Sequence, residues 1–303
     1  MSATTGLGLA LARLNSSNAQ PQASSPQSLP SPRTDESPLS IALNTPMSTP
    51  TPSNTPVVDH SVPVTPTPDR TPVDAFPRKP LVLSDAAQPG TDFYRFREQL
   101  RQAVKTRDVD FVAKLIPETG VSIGYGRPSS FADLEFTNPD AEIWAIFEKA
   151  LAVGCDELSA EDYPLADPGT SVWLCANVGN AFLEQYPNPD PTPGIEYEIS
   201  YAAVVGDRVH VRSLPTTESE VVGTLSNEVV RLDRQIWERT AASLPDEVWT
   251  ERTHPLNGWT PVLLPNQTSG YVSNRYVYQA LAPRLLLGQV NGQWQVLQIP
   301  AGD

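Results

Sequence analysis

Cysteine, histidine and long apolar runs are scarce in this sequence, and each scarcity removes a class of function. Two cysteines, Cys155 and Cys175, and three histidines, His60, His210 and His254, are all the sulfhydryl and imidazole groups in 303 residues. No two histidines stand at ligand spacing, so a zinc site lacks its donors. A cysteine nucleophile needs an activated thiol at a helix start and a histidine held by a third polar group. Cys155 instead follows Gly154 at a helix end, where the dipole disfavours a thiolate, and Cys175 sits in an apolar strand. No G-x-S-x-G, P-loop or glycine-rich dinucleotide fingerprint occurs. The chain therefore reads as non-enzymatic, with no cofactor and no metal. No apolar run reaches 18 residues, so none is read as a membrane-spanning helix.

Aromatic residues are missing before Phe76, and sixteen of the 32 prolines fall before residue 91. A segment built from Pro, Thr, Ser, Ala, Asn and Gln cannot bury enough apolar surface to offset its ordering entropy. Residues 1–90 are expected to be a disordered tail. Thr-Pro pairs from Thr45-Pro46 to Thr71-Pro72 favour a semi-stiff, polyproline-II-like spacer whose Thr and Ser are also modification candidates. At its start, Gly6 to Ala12 is apolar and ends Ala-Leu-Ala, as a clipped export signal does. No Lys or Arg precedes it, so a short apolar patch is the other reading. Basic residues are few as well. Residues 91–303 hold 16 Lys and Arg against 29 Asp and Glu, a net of −13. So acidic a body is poorly matched to nucleic acid or to anionic lipid.

Order is expected from Thr91, a cap for a helix on which Phe93, Phe96, Leu100, Ala103 and Val104 share one face. A second helical piece runs from Asp108 to Leu115, and Val121 to Tyr125 alternates like a strand. Asn138-Pro139-Asp140 is read as the cap of a stronger helix carrying Ile143, Trp144, Ile146, Phe147, Ala150 and Leu151. Gly154 to Asp190 reads as loop-rich, with a strand at Val172 to Cys175 and a short helix at Asn180 to Tyr186. Its acidic cluster, Glu157, Glu161, Asp162 and Asp167, lacks calcium-loop spacing and is read as solvated. Together these make an α+β domain over 91–196.

From Asp207 the pattern changes. Val209 and Val211 alternate with polar residues, Leu214 to Glu220 is a polar loop pinned by Pro215, and Val221, Val222 and Leu225 surround Gly223. Trp259 to Leu264 and Ser269 to Val277 supply further strands. This order resembles the bacterial SH3-like domain at Val209, Val211, Arg212, Ser213, Pro215, Val222, Gly223, Leu225, Trp259, Gly270, Tyr271, Val272, Tyr276 and Val277. It departs at His210, where Asn is usual, and at Leu214, where Gly is usual. The resemblance covers about a quarter of the chain. It implies a small all-β SH3-like barrel over 197–280, with an ordered flap inserted at 234–257 that holds Ile236, Trp237, Val248 and Trp249. It further implies recognition of cell-wall peptide or glycan, or of a protein partner, through candidates Arg212, Tyr271, Tyr276, Trp237 and Trp249. For Tyr271, Tyr276 and Trp259 the competing reading is core packing, and for Arg212 it is a hydrogen bond to a turn.

Asn291-Gly292 between two alternating apolar runs predicts a hairpin over 281–303. A hairpin alone is marginal in water, so it must dock, and the strand-poor 91–196 domain is the expected acceptor. The whole of 91–303 also resembles exported bacterial, chiefly cyanobacterial, proteins that join a Phe96-Arg97-x-x-Leu100 helix to this barrel and finish Asn291-Gly292-x-Trp294 through Ala301-Gly302-Asp303. Export would let Cys155 and Cys175 form a disulfide, with two buried thiols as the alternative. The resulting expectation is a periplasmic or extracellular, non-catalytic recognition protein of the cell envelope. Two rivals stand beside it: an undetected hydrolase in 91–196, and a cytoplasmic scaffold whose Thr-Pro tail is phosphorylated.

Overall fold

The computed structural model of the chain describes residues 76–190 and 194–302. The apolar start, the Thr-Pro pairs and His60 lie outside the described residues. Helix α1 (Asp92–Thr106) opens where the Thr91 hydroxyl accepts the Tyr94 N–H, and it closes on Arg107 in the left-handed region at φ 56°. It buries Phe93, Phe96, Leu100, Ala103 and Val104, together with Arg97. A single turn and a half, α2 (Val109–Ala113), is capped by the Asp108 carboxylate. Helix α3 (Glu142–Leu151) buries Trp144 and Phe147 completely. The cap expected at Asn138 to Asp140 does not form. Ala141 occupies the cap position without a side-chain bond, because Asn138 serves elsewhere. Its carbonyl accepts the Trp144 indole N–H at 3.1 Å, and its side-chain oxygen accepts the Asp140 N–H.

Strands β1 (Cys155–Ser159) and β2 (Ser171–Cys175) pair antiparallel, and helix α4 (Val178–Gln185) follows. Strand β1 falls where the sequence predicts loop: Cys-Asp-Glu-Leu-Ser carries too few apolar residues to signal a strand, and only Cys155 is buried. Val121 to Tyr125, expected as a strand, makes isolated bridges, Val121 to Ser129 and Ile123 to Ile299. The terminal hairpin, β10 (Leu285–Val290) and β11 (Gln293–Gln298), adds to β2, giving a four-stranded sheet in the order β1-β2-β10-β11. Its turn needs two positive φ angles, supplied by Asn291 at 53° and Gly292 at 73°. The Asp167 carboxylate accepts both turn N–H groups, at 2.8 and 2.7 Å. One face of this sheet joins the helices in a core of Leu285, Leu287, Val296, Trp173 and the α1 and α3 aromatics. The other face, Leu158, Val172, Leu174, Leu286 and Leu297, packs against Ala166 and Tyr163.

The second sheet has seven antiparallel strands: β3 (Tyr201–Val204), β4 (Val209–Arg212), β5 (Val221–Leu225), β6 (Glu228–Leu232), β7 (Trp259–Leu263), β8 (Ser269–Ser273) and β9 (Val277–Gln279). It curls around Val204, Val209, Val211, Leu225, Val262 and Val272. The expected closed barrel is not what forms. The order β5-β4-β8-β7-β6-β3-β9 leaves β5 and β9 at two edges. Only the end of β6, Arg231 and Leu232, pairs with β7, while its start pairs with Lys79 to Leu81 instead. Ala203, Val229 and Tyr278 point the other way, into the core shared with the helices.

That pairing corrects the tail boundary. Residues 76–90 are not part of a disordered tail but a strap lying along the body. Leu81 and Ala87 are buried, and the Leu81 N–H donates to Asn227 O. Tyr186 Oη donates to Pro80 O at 2.6 Å, and Ala86 N–H donates to Cys155 O. The charged pair Asp85–Arg97, at 2.7 Å, anchors its end. The proline count hid Leu81, Leu83 and Ala87, whose apolar contacts lie on other elements. Among the described residues no helix is long and apolar enough to cross a membrane.

Candidate functional site

The flap between β6 and β7 folds as two helices, α5 (Arg234–Ser243) and α6 (Asp246–Thr253). Asp233 ties its root to the sheet: one carboxylate oxygen accepts the Ile236 N–H and the other accepts Ser269 Oγ at 2.6 Å. In β7 and β8, Val262 and Val272 face the interior of the curl, so Trp259, Pro261 and Tyr271 take the opposite face. The helices bring Trp237 and Trp249 onto that outer face, edge to face with centroids 5.1 Å apart. Arg252 stands 6.0 Å over the Tyr271 ring. Three indoles, a phenol and a guanidinium from four elements therefore line one seam, together with Thr240 and Pro261.

The seam is shut. Its free volume is about 10 Å³, no more than the ~10–15 Å³ of open space that a single water needs. Neither flap helix contains a fully buried residue. An element with so little buried surface opens more cheaply than the sheet beneath it.

Of the five candidates read from sequence, Trp237, Trp249 and Tyr271 meet here. Arg212 lies beside Tyr271 across the β4–β8 pairing, but its guanidinium donates to Ser219 O at 2.6 Å, holding the 213–220 loop. Tyr276 stands apart, 40% exposed, beside Gly206. Arg252, Thr240 and Pro261 were missed; the alternation of Trp259 and Pro261 in β7 was their only trace in the sequence. Cys155 and Cys175 face each other across β1 and β2 and are bridged, so neither offers a thiol. Glu157 accepts from Ser171 Oγ and Asp167 caps the hairpin, and no cluster of three metal-ligating side chains occurs among the described residues.

Beneath the flap, one lysine joins the two halves of the fold. Lys149 Nζ donates from α3 to Pro255 O at 3.1 Å and to Asn274 O at 2.6 Å, and sits 5.1 Å over the Tyr278 ring. Burial pushes its pKa down to about 7, although the residue as a whole is only partly buried. Burial likewise pushes the Tyr278 hydroxyl up to about 12, leaving it a neutral donor to Lys149 O. Buried Asn274 donates to Arg252 O and His254 O and accepts from Thr260 Oγ1 at 2.6 Å. The root of the flap is thus held by backbone carbonyls that must all find donors.

No family model, curated protein or solved structure matches the chain.

Proposed function

We propose that the chain is a non-catalytic recognition protein of the cell envelope. In this reading the curled sheet is an SH3-like module that holds peptidoglycan between the flap and the sheet. The observation that carries it is the convergence of Trp237, Trp249, Trp259 and Tyr271 on one outer face. Flat aromatic faces with one cation suit an extended chain of sugars or short peptide, and aromatic anchors dominate such contacts. The flap swings to admit the ligand, and its indoles close over it. A disulfide fits an oxidising compartment, where the cell wall lies.

Co-sedimentation of the full chain with purified sacculi over a salt series tests this. Saturable pelleting should persist at moderate salt, because stacking is screened little. Trp249→Ala should weaken it by about tenfold or more. Arg212→Ala should weaken it less, since Arg212 acts through its own loop. Absence of pelleting overturns the cell-wall reading and turns the aromatic seam toward a protein partner.

A further inference from the structure

A second cleft lies at the flap root, with a lining distinct from the aromatic seam. It is bounded by the end of α1, the start of α3 and the 254–257 loop. Arg107, Asp140, Glu148, His254, Asn257 and Arg275 supply its polar lining, and its volume is about 310 Å³. We infer that this cleft is a binding site for a small zwitterion, an amino acid or short peptide carrying both a free ammonium and a free carboxylate.

The charges make the case. Glu148 sits between two guanidiniums, 3.8 Å from Arg107 and 3.5 Å from Arg275. Charge-assisted pairs close at ~2.7–2.9 Å, so neither arginine is saturated by Glu148 and both can take a second carboxylate. Arg107 is preset for this: Nε donates to Pro139 O, Nη1 donates to Val104 O, and its plane lies 5.2 Å over Trp144. Two acids, Asp140 and Glu148, balance the two arginines. A simple anion is attracted by one pair and repelled by the other, while a ligand of both signs satisfies both.

Histidine adds a neutral donor. His254 Nδ1 accepts the N–H groups of Leu256 and Asn257, both at 3.2 Å, so the ring proton sits on Nε2. Burial and the nearby Lys149 charge hold its pKa below the usual value and keep the ring neutral. The volume sets the size of the ligand. At about 310 Å³ the cleft lies at the small end of the ~300–1,000 Å³ typical of small-molecule sites, which suits an amino acid or a dipeptide. It also spans the two halves of the fold, a common location for small-molecule sites.

Three matched probes decide the matter by calorimetry on the full chain: alanyl-alanine, its N-acetyl derivative and its C-terminal amide. The free dipeptide should bind, and each capped form should bind about tenfold more weakly or worse, having lost one charge. Arg275→Gln and Glu148→Gln, at part-exposed positions that tolerate change, should each cut dipeptide affinity by a similar factor. Equal binding of all three probes, preference for either capped form, or no binding by the wild-type chain overturns the proposal.

Discussion

At the scale of single residues, Lys149 joins packing to charge. Its nitrogen donates to two carbonyls, which a neutral amine with two N–H groups can still do, though more weakly than an ammonium. The clamp between α3 and the flap root therefore survives deprotonation, but the cost of burying the charge does not. With the folded pKa lowered to about 7 from an ordinary 10.5, the unfolded chain binds more protons between those values. Stability then rises with pH from about 7 toward 10 and levels off below 7. The slope has a ceiling of about 1.4 kcal/mol per pH unit, and the carbonyls and the Tyr278 ring, which favour the ammonium, hold it lower. Urea unfolding of wild type and Lys149→Met over pH 6 to 10 checks this: the difference between them should grow in favour of wild type as pH rises. Parallel curves would show that Lys149 is charged in the folded chain.

At the scale of elements, the strap shows what sequence reading sees and misses. Helices α1 and α3 were legible because their own residues carry the period: Phe93, Phe96 and Leu100, then Ile143, Trp144 and Phe147. The Asn291-Gly292 hairpin was legible because its turn chemistry is local. Strap and β1 were not, since their order comes from partners far along the chain. Asp85 receives Arg97 at 2.7 Å and the Cys155 N–H at 3.1 Å. Burial raises its pKa in part, but the Arg97 hydrogen bond and its companions win, and the carboxyl lies below its ordinary value. Gly154 lets the strap approach, because a Cβ there would overlap Ser84 O. Gly154→Ala should thus push residues 84–87 off β1, costing about 2–3 kcal/mol. Limited proteolysis should then cut within 76–90 while the remainder stays folded. An intact strap in that variant would mean the backbone yields without loss. The aromatic seam was half legible: Trp237 and Trp249 stood out as large residues in an insertion, but nothing local said they would meet Tyr271 rather than each other alone.

The whole molecule turns on whether the curled sheet is a separable module, as its sequence pattern suggests. The packing argues otherwise. Ala203, Val229 and Tyr278 present the outer face of β3, β6 and β9 to the core built by α1, α3 and β2. That core depends in turn on the last 23 residues, 281–303. Leu285 and Leu287, both fully buried, stand beside β2, and Trp294 stacks on Phe96 at 4.9 Å. Burying a leucine contributes roughly 1.5–3 kcal/mol, so losing Leu285 and Leu287 alone takes away a large part of the ~5–15 kcal/mol that holds a typical domain. Strand β2 would also become an edge, exposing Trp173 and the bridged Cys175. A chain ending at Ala280 should accordingly lose its cooperative thermal transition everywhere, including residues 197–280, although every strand of the second sheet is still present. Calorimetry with amide exchange distinguishes the cases. Retained protection in β4, β7 and β8 of the truncated chain would establish the sheet as an autonomous domain, and its complete loss would mean that the curled sheet and the disulfide-bridged sheet fold as one unit.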